Sequence, residues 1–456
     1  MNQTALNATE KRASISLAMV FGLRMLGLFM IMPVFAYYGQ SLDGYSPLWV
    51  GLAIGAYGLT QALFQIPMGM LSDRIGRKPV IVIGLFIFAL GSLIAAWSDS
   101  VYGVALGRAI QGLGAIASAI LALAADSSRE EQRSKVMATI GVSIGLAFAV
   151  AMVVGPIVTQ FIGLSGLFYF TAVMALLGIV IVKFMVPNVV HKAPPGDTVA
   201  MPRLLKSLLA KPELLRLDAG IFILHLTLTA MFVVLPLKLV AAGMAVEQHW
   251  MLYFPALILS FVFIVPMLIV GARKQKNKQL FIFAIGLMAV SLLLLALQQS
   301  PLWLILLAVF LYFTAFNFLE ASLPAFISML APAGAKGTAM GIYSTSQFLG
   351  AFIGGVIGGY AYNNFGDQGL FILIAGLMVC WMVIALGMSN PSQIRNHVIS
   401  VDLTDSQRGE TLAQELAKLR GVLEAVVVAD EHAVYLKVKH TEFELNQAHA
   451  LINSGN

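Results

Sequence analysis

Cysteine is almost missing from this chain: Cys380 stands alone, inside an apolar run. A disulfide framework and a CxxC metal or redox centre are therefore excluded. Charge is scarce as well. Only 11% of the 456 residues are Asp, Glu, Lys or Arg, against roughly a quarter in soluble domains. No GxxxxGK[ST] segment occurs, which disfavours an ATP-driven pump. No nucleophile–base pair or metal-ligand constellation points to an enzyme, and His397, His432, His440 and His449 are too dispersed for a metal site. No cofactor is expected.

What the chain has instead is apolar length. Apolar residues make up 59% of it, and its mean hydropathy is +0.87. A membrane-spanning helix needs about 20 apolar residues. Such runs lie near 15–39, 48–71, 79–98, 101–125, 135–160 and 165–186, then near 218–241, 250–271, 279–297, 301–328, 337–363 and 367–388. The pattern predicts an all-α membrane body of twelve transmembrane helices in two six-helix halves, 1–186 and 218–390. The polar first fourteen residues make the first run a signal-anchor rather than a cleavable signal. The connection 187–217 holds Leu204, Leu205, Leu208 and Leu209 beside Lys206 and Lys211. That spacing suits an amphipathic helix on a lipid surface, although a plain linker would also account for it.

The few charges are placed unevenly. Even-numbered connections carry Arg74, Arg77 and Lys78, then Arg129 and Arg133, then Lys192, Arg203, Lys206, Lys211 and Arg216, then Arg273, Lys274, Lys276 and Lys278, and finally Lys336. Odd-numbered connections carry only Asp43, Asp99 and Glu247. Basic residues concentrate in cytoplasmic loops, so both termini are expected in the cytoplasm. The pI of 9.3 is thus a topology signal, and no nucleic-acid partner is implied.

The two halves echo each other, with Gly141 and Gly155 in run five repeated as Gly341 and Gly355 in run eleven. From about residue 397 the composition turns soluble. Strand-like alternation over 398–403, an amphipathic helix over 405–420, strands at 425–428 and 434–438 and a helix from Glu442 to about Ile452 read as β-α-β-β-α. A small α+β ferredoxin-like domain over 397–456, lacking its last strand, is the expectation.

Between runs two and three the chain reads Gly69-Met70-Leu71-Ser72-Asp73-Arg74-Ile75-Gly76-Arg77-Lys78. This resembles the loop of the major facilitator superfamily, G-x-L-a-D-r-x-G-r-k. Arg108, Gln111, Gly112 and Gly114 similarly resemble the family's run-four pattern. Gly155-Pro156 resembles the run-five pattern of the proton-driven drug antiporters, although Ala151, Thr159 and Gln160 stand where that pattern has glycines. Leu23 to Gly27, Ser344 to Gly350 and the tail resemble bacterial members of that antiporter group. The resemblance implies a conformational switch in which Arg77 bridges Asp73 and Asp126 while Asp73 faces the start of helix eleven near Lys336-Gly337. That cluster would hold the cytoplasmic ends of the halves together.

An ionisable group deep in a span is costly and marks function by default. Four qualify: Arg24, Arg108, His225 and Glu320, in runs one, four, seven and ten. In the resembled family those runs line the central cavity. Glu320 is the one carboxylate recognised within a run, so it is the candidate proton carrier, with Arg24 or His225 as its partner; a static buried ion pair is the alternative. Tyr57, Gln61, Gln65, Asn317, Tyr343, Ser346 and Gln347 form a candidate substrate lining, or else interhelical hydrogen bonds. The expected partners are a lipid bilayer, protons and a small-molecule substrate, with the chain working as a monomer. The reading is a bacterial inner-membrane carrier that exchanges protons for small amphipathic compounds by alternating access. Uptake of a polar nutrient, and a membrane sensor acting through the tail, are the alternatives.

Overall fold

Proline and glycine set where the helices begin and break. The computed structural model describes residues 6–188, 202–298, 300–332, 335–388, 394–400, 406–428, 433–439 and 442–454. Helix α1 (Ala8–Phe29) opens on a capping box, Asn7 accepting from the Glu10 amide and Glu10 from the Asn7 amide. It is followed by α2 (Met32–Tyr38), α3 (Pro47–Ile75), α4 (Arg77–Trp97), α5 (Val101–Leu113), α6 (Ala117–Asp126) and α7 (Glu130–Phe184). The second half holds α8 (Pro202–Leu209), α9 (Pro212–Ala241), α10 (Trp250–Arg273), α11 (Asn277–Leu295), α12 (Leu302–Leu330) and α13 (Lys336–Leu386). Among the described residues ten helical segments are long and apolar enough to cross a membrane. Two of them, of 50 and 51 residues, are each about twice the length that one crossing needs. Each is interrupted by a glycine with φ +69°, Gly163 in α7 and Gly366 in α13. Only glycine takes that left-handed conformation without strain, so the chain turns there.

Helix boundaries differ from the apolar runs in ways that matter. Run four is two helices, because Gly114 (φ −74°, ψ 48°) leaves helical geometry. Helix α9 starts at Pro212, not near 218, since proline fits the first helical turn. Helix α1 starts at Ala8, within the polar first fourteen residues and ahead of the apolar run near 15–39. Its Glu10 is buried and pairs with Arg129, Nε to Oε1 at 2.8 Å. Lys238, near the end of α9, pairs with Asp367 at 2.7 Å. The amphipathic α8 forms within the connection, with Leu208 buried and Lys206 exposed; residues 189–201 lie outside the described set.

The halves meet along α3 and α13. A Cβ on Gly51 would lie 2.0 Å from the carbonyl oxygen of Gly355, one on Gly58 2.5 Å from that of Phe348, and one on Gly359 2.4 Å from that of Pro47. Backbone therefore rests on backbone at the end of α3 remote from the Asp73 loop. Tyr38 donates to Glu247 at 3.2 Å at the same end. Towards the Asp73 end, by contrast, Gly141 and Gly145 of α7 face open space.

The tail comprises β1 (Ile394–Ser400), α14 (Ser406–Ala417), β2 (Val422–Val428), β3 (Ala433–Lys439) and α15 (Leu445–Ser454). Its antiparallel sheet has the order β1-β3-β2. The first strand lies earlier than the 398–403 expected, and residues 401–405 are outside the described set. Ile399, Leu412, Leu416, Val434, Leu436, Val438, Ala448 and Ile452 form a separate core. Lys437 on β3 donates to the carbonyl of Leu330, at the end of α12, over 2.6 Å.

Candidate functional site

The N-terminal half buries a polar network with two guanidinium groups and, among the described residues, no ion pair to either. Arg24 on α1 is fully buried. Its Nη2 donates to Gln61 Oε1 at 2.8 Å and to the carbonyl of Gly114 at 3.0 Å, at the break between α5 and α6. The break thus supplies an acceptor that an unbroken helix would have used internally. Gln61 in turn donates to Gln65 Oε1 at 2.7 Å, and the Tyr57 hydroxyl donates to Gln61 Oε1 at 3.1 Å. Arg108 donates to Gln111 Oε1 at 2.9 Å, and Gln111 to Ser92 at 2.8 Å. The Tyr57 ring has the Arg24 guanidinium 5.7 Å from one side of its centroid and that of Arg108 at 5.2 Å. Aromatic faces and neutral oxygens hold both cations. Tyr57, Gln61 and Gln65 are buried within this network.

At the end of α3, Gly76 takes φ +101° and lets α4 begin at once. Arg77, nearly buried, pairs with Asp73 one turn back and with Asp126 Oδ2 at 3.2 Å, and donates to Ser72 at 2.8 Å. The structure thus brings Asp73, Arg77 and Asp126 together. Lys78 closes the end of α7, reaching the Val186 carbonyl at 2.6 Å. Arg74 is exposed, and Gly69 gives room to Ser118, whose Oγ would lie 3.0 Å from a Cβ there.

The C-terminal half holds the acid. Glu320 on α12 accepts from or donates to His225 Nε2 on α9 through Oε2 at 3.1 Å. Gln347 on α13 donates to Glu320 Oε1 at 3.1 Å, and its Nε2 lies 2.8 Å from His225 Nε2. Of the two cations considered for Glu320, His225 is the one beside it, while Arg24 lies in the other network. The glutamate side chain keeps 35% of its surface exposed, the histidine 11%. One geometric fact governs the chemistry. His225 Nε2 cannot donate to Glu320 and accept from Gln347 at once, because a single ring nitrogen carries either a proton or a lone pair. Two arrangements pair His225 with Glu320, and in each of them Gln347 is left bonding to Glu320 Oε1. Either His225 holds the proton and Glu320 is the acceptor, or Glu320 holds it and His225 accepts. Phe316 lies 5.8 Å from the imidazole and stacks on Phe148 of the other half at 6.2 Å, so an aromatic surface borders the acid where the halves meet. Asn317 donates to Ser260 at 2.8 Å, tying α12 to α10. Tyr343 is buried one turn below Gln347.

The sequence profile of the Major Facilitator Superfamily matches residues 17–276 and 274–399. The chain belongs to that superfamily. It is 45% identical over 451 residues to the inner membrane transport protein YajR of Escherichia coli (strain K12), covering 98% of this chain and 99% of that one. It is 32% identical over 168 residues to a bicyclomycin resistance protein homolog of Haemophilus influenzae, 36% of this chain and 42% of that one. Among solved structures, a D-xylose-proton symporter shares the fold with a TM-score of 0.67 at 16% identity, covering 83% of this chain and 98% of that one. This superfamily member is a membrane transporter and not an enzyme.

Hydropathy overlooked one residue. Asp218 lies in the second turn of α9 and is buried, whereas the apolar run near 218–241 begins only at that position. The signal was available in Pro212-Glu213, a helix start by proline at the first position and an acid in the first turn.

Proposed function

We propose that this superfamily member is a proton-coupled efflux carrier that exchanges protons for small amphipathic compounds by alternating access. The observation that carries the reading is the 3.1 Å approach of His225 Nε2 to Glu320 Oε2, with Gln347 donating to Glu320 Oε1 beside them. A site that is satisfied with the proton on either member can load and unload it as its exposure changes. The aromatic surface of Phe316 and Phe148 supports an apolar or amphipathic cargo, as does the partial likeness to a bicyclomycin resistance protein homolog.

The remaining features fit this reading. With α7 and α13 each crossing twice, the spans number twelve, and the basic loops put both termini and the tail in the cytoplasm of a bacterial inner membrane. The seam at Gly51 and Gly355 then closes the outer end, with the cavity open inward. In the opposite state the cluster that Arg77 forms with Asp73 and Asp126 meets the start of α13 near Lys336. The sheet order β1-β3-β2 supports a ferredoxin-like tail lacking its fourth strand. Flux of a compound panel in proteoliposomes, with and without an imposed pH gradient, tests the function. Glu320→Gln is expected to abolish coupling to the gradient; full proton-driven flux in that variant would end the proposal.

A further inference from the structure

We propose that Asp218 is a second proton-binding carboxylate of this carrier, connected to Glu320 through the hydroxyl of Tyr343. The inference rests on the proton-coupled reading above and extends it to a residue outside the His225–Glu320–Gln347 triad.

The placement comes from the packing of α9 on α13. The carbonyl of Phe222 sits against Gly350 and that of Leu226 against Gly354, so the two helices run side by side in register. One turn further toward the Asp73 end, Asp218 is level with Ser346, between Tyr343 and Gln347. Tyr343 and Gln347 are one turn apart on α13, and Asp218 and His225 two turns apart on α9, so each pair shares a helix face. The triad occupies the upper level of this column, and Asp218 with Tyr343 the lower.

Both lower groups are buried and short of partners. Asp218 is 7% exposed and Tyr343 4%. Asp218 Oδ1 and the Tyr343 hydroxyl make no hydrogen bond among the described residues. Buried polar atoms are almost always satisfied, and those that are not call for an explanation such as a catalytic or exchange role. A carboxylate without a cation is also expensive to bury unless it carries a proton. Among the described residues no cation pairs with Asp218. On its own helix Arg216 is engaged by Glu213 at 2.8 Å, and His225 by Glu320. From α13 comes Tyr343, from α12 Glu320, and Lys206 of α8 is exposed.

The chemistry balances without a co-reactant. A proton on Asp218 passes to the Tyr343 oxygen, with water completing the chain, as the hydroxyl's own proton goes on to Glu320. Tyrosine is unchanged and one proton has moved. The two acids differ in access: Glu320 keeps 35% of its side chain exposed in this conformation, whereas Asp218 is sealed by α13 and exchanges when the α9–α13 packing shifts. A carrier with one acid open and one closed in each state holds a proton through the transition.

Infrared difference spectroscopy of the purified full chain in nanodiscs, titrated with pH, tests this without any cargo. The wild type is expected to lose two carboxylic-acid carbonyl bands as pH rises; Asp218→Asn removes one and Glu320→Gln the other. A D218N spectrum identical to wild type overturns the proposal, whether or not E320Q changes. If D218N removes a band and E320Q does not, Asp218 stands and the Glu320 reading falls. Asp218→Glu, which preserves the acid, is expected to return a shifted band and guards against misfolding of D218N. Tyr343→Phe is expected to keep both bands but to slow relaxation of the Asp218 band after a pH jump on the order of a hundredfold, the scale of a positioned proton donor. Unchanged relaxation removes Tyr343 from the path and overturns the connection.

Discussion

Among the described residues Arg24 is the bulkiest charged side chain buried completely, and its neighbours explain how. Gln61 and the freed Gly114 carbonyl accept its protons, and the rings of Tyr57 and Phe88 lie 5.7 and 5.6 Å from its guanidinium carbon. Removing the acceptor should therefore hurt more than removing the charge. Arg24→Met leaves neutral oxygens unpaired, at about 1–3 kcal/mol, whereas Gln61→Leu leaves a buried cation with the Gly114 carbonyl as its remaining acceptor, at about 3 kcal/mol or more. Thermal unfolding of the purified variants in detergent should place Q61L below R24M; the reverse order would mean that the guanidinium is held by something other than Gln61. Arg24, Arg108, His225 and Glu320 were legible in the sequence because a charge in an apolar run stands out. Their partners were not. Whether Glu320 meets Arg24 or His225 depends on how α1, α9 and α12 pack, and no spacing along one helix carries that information. Asp218 was lost for a different reason, since hydropathy ends a helix at the first polar residue while the backbone continues to its cap.

At the scale of elements, glycine decides how closely helices approach. Gly355 has no room for a methyl: its Cβ would stand 2.2 Å from the Gly51 carbonyl oxygen, and backbone must move to admit it. Gly355→Ala should push α3 and α13 apart and favour the state open at that end. Spin labels on α2 and α10, flanking the seam, should report a longer distance population in G355A. Gly141→Ala, with nothing nearby, should leave the distances unchanged, and equal behaviour of the two variants would refute the argument. The repeat of glycines between the halves was visible in the sequence, and so was the βαββα order of the tail. The break at Gly114 was not, because Gly114-Ala115-Ile116 is as apolar as the helices it separates.

At the scale of the whole molecule, the tail is fastened to the membrane body through Lys437. Its amine sits lower than the ordinary lysine pKa, chiefly because docking buries it; Lys211 and Lys336 push the same way and Glu424 opposes them. A lysine whose docked value lies below its free value opposes docking while it is charged, so attachment should tighten as pH rises from the depressed value to the ordinary one. Energy transfer between dyes on α15 and α8 should therefore rise in alkaline buffer, and the pH dependence should vanish in Lys437→Gln. A flat response in the wild type would show that the Leu330 contact does not govern docking. The seam between the halves behaves otherwise. Carbonyl oxygens seated where side chains would stand contain nothing that titrates and little that salt can screen, so that closure is a fixed spring. Acid can reach that end only beside the seam, at the Tyr38–Glu247 hydrogen bond, and not through the packed carbonyls themselves. Tuning the balance of the two conformations by single methyl groups on the spring, while leaving the charged sites intact, would separate how fast the carrier turns over from what it couples.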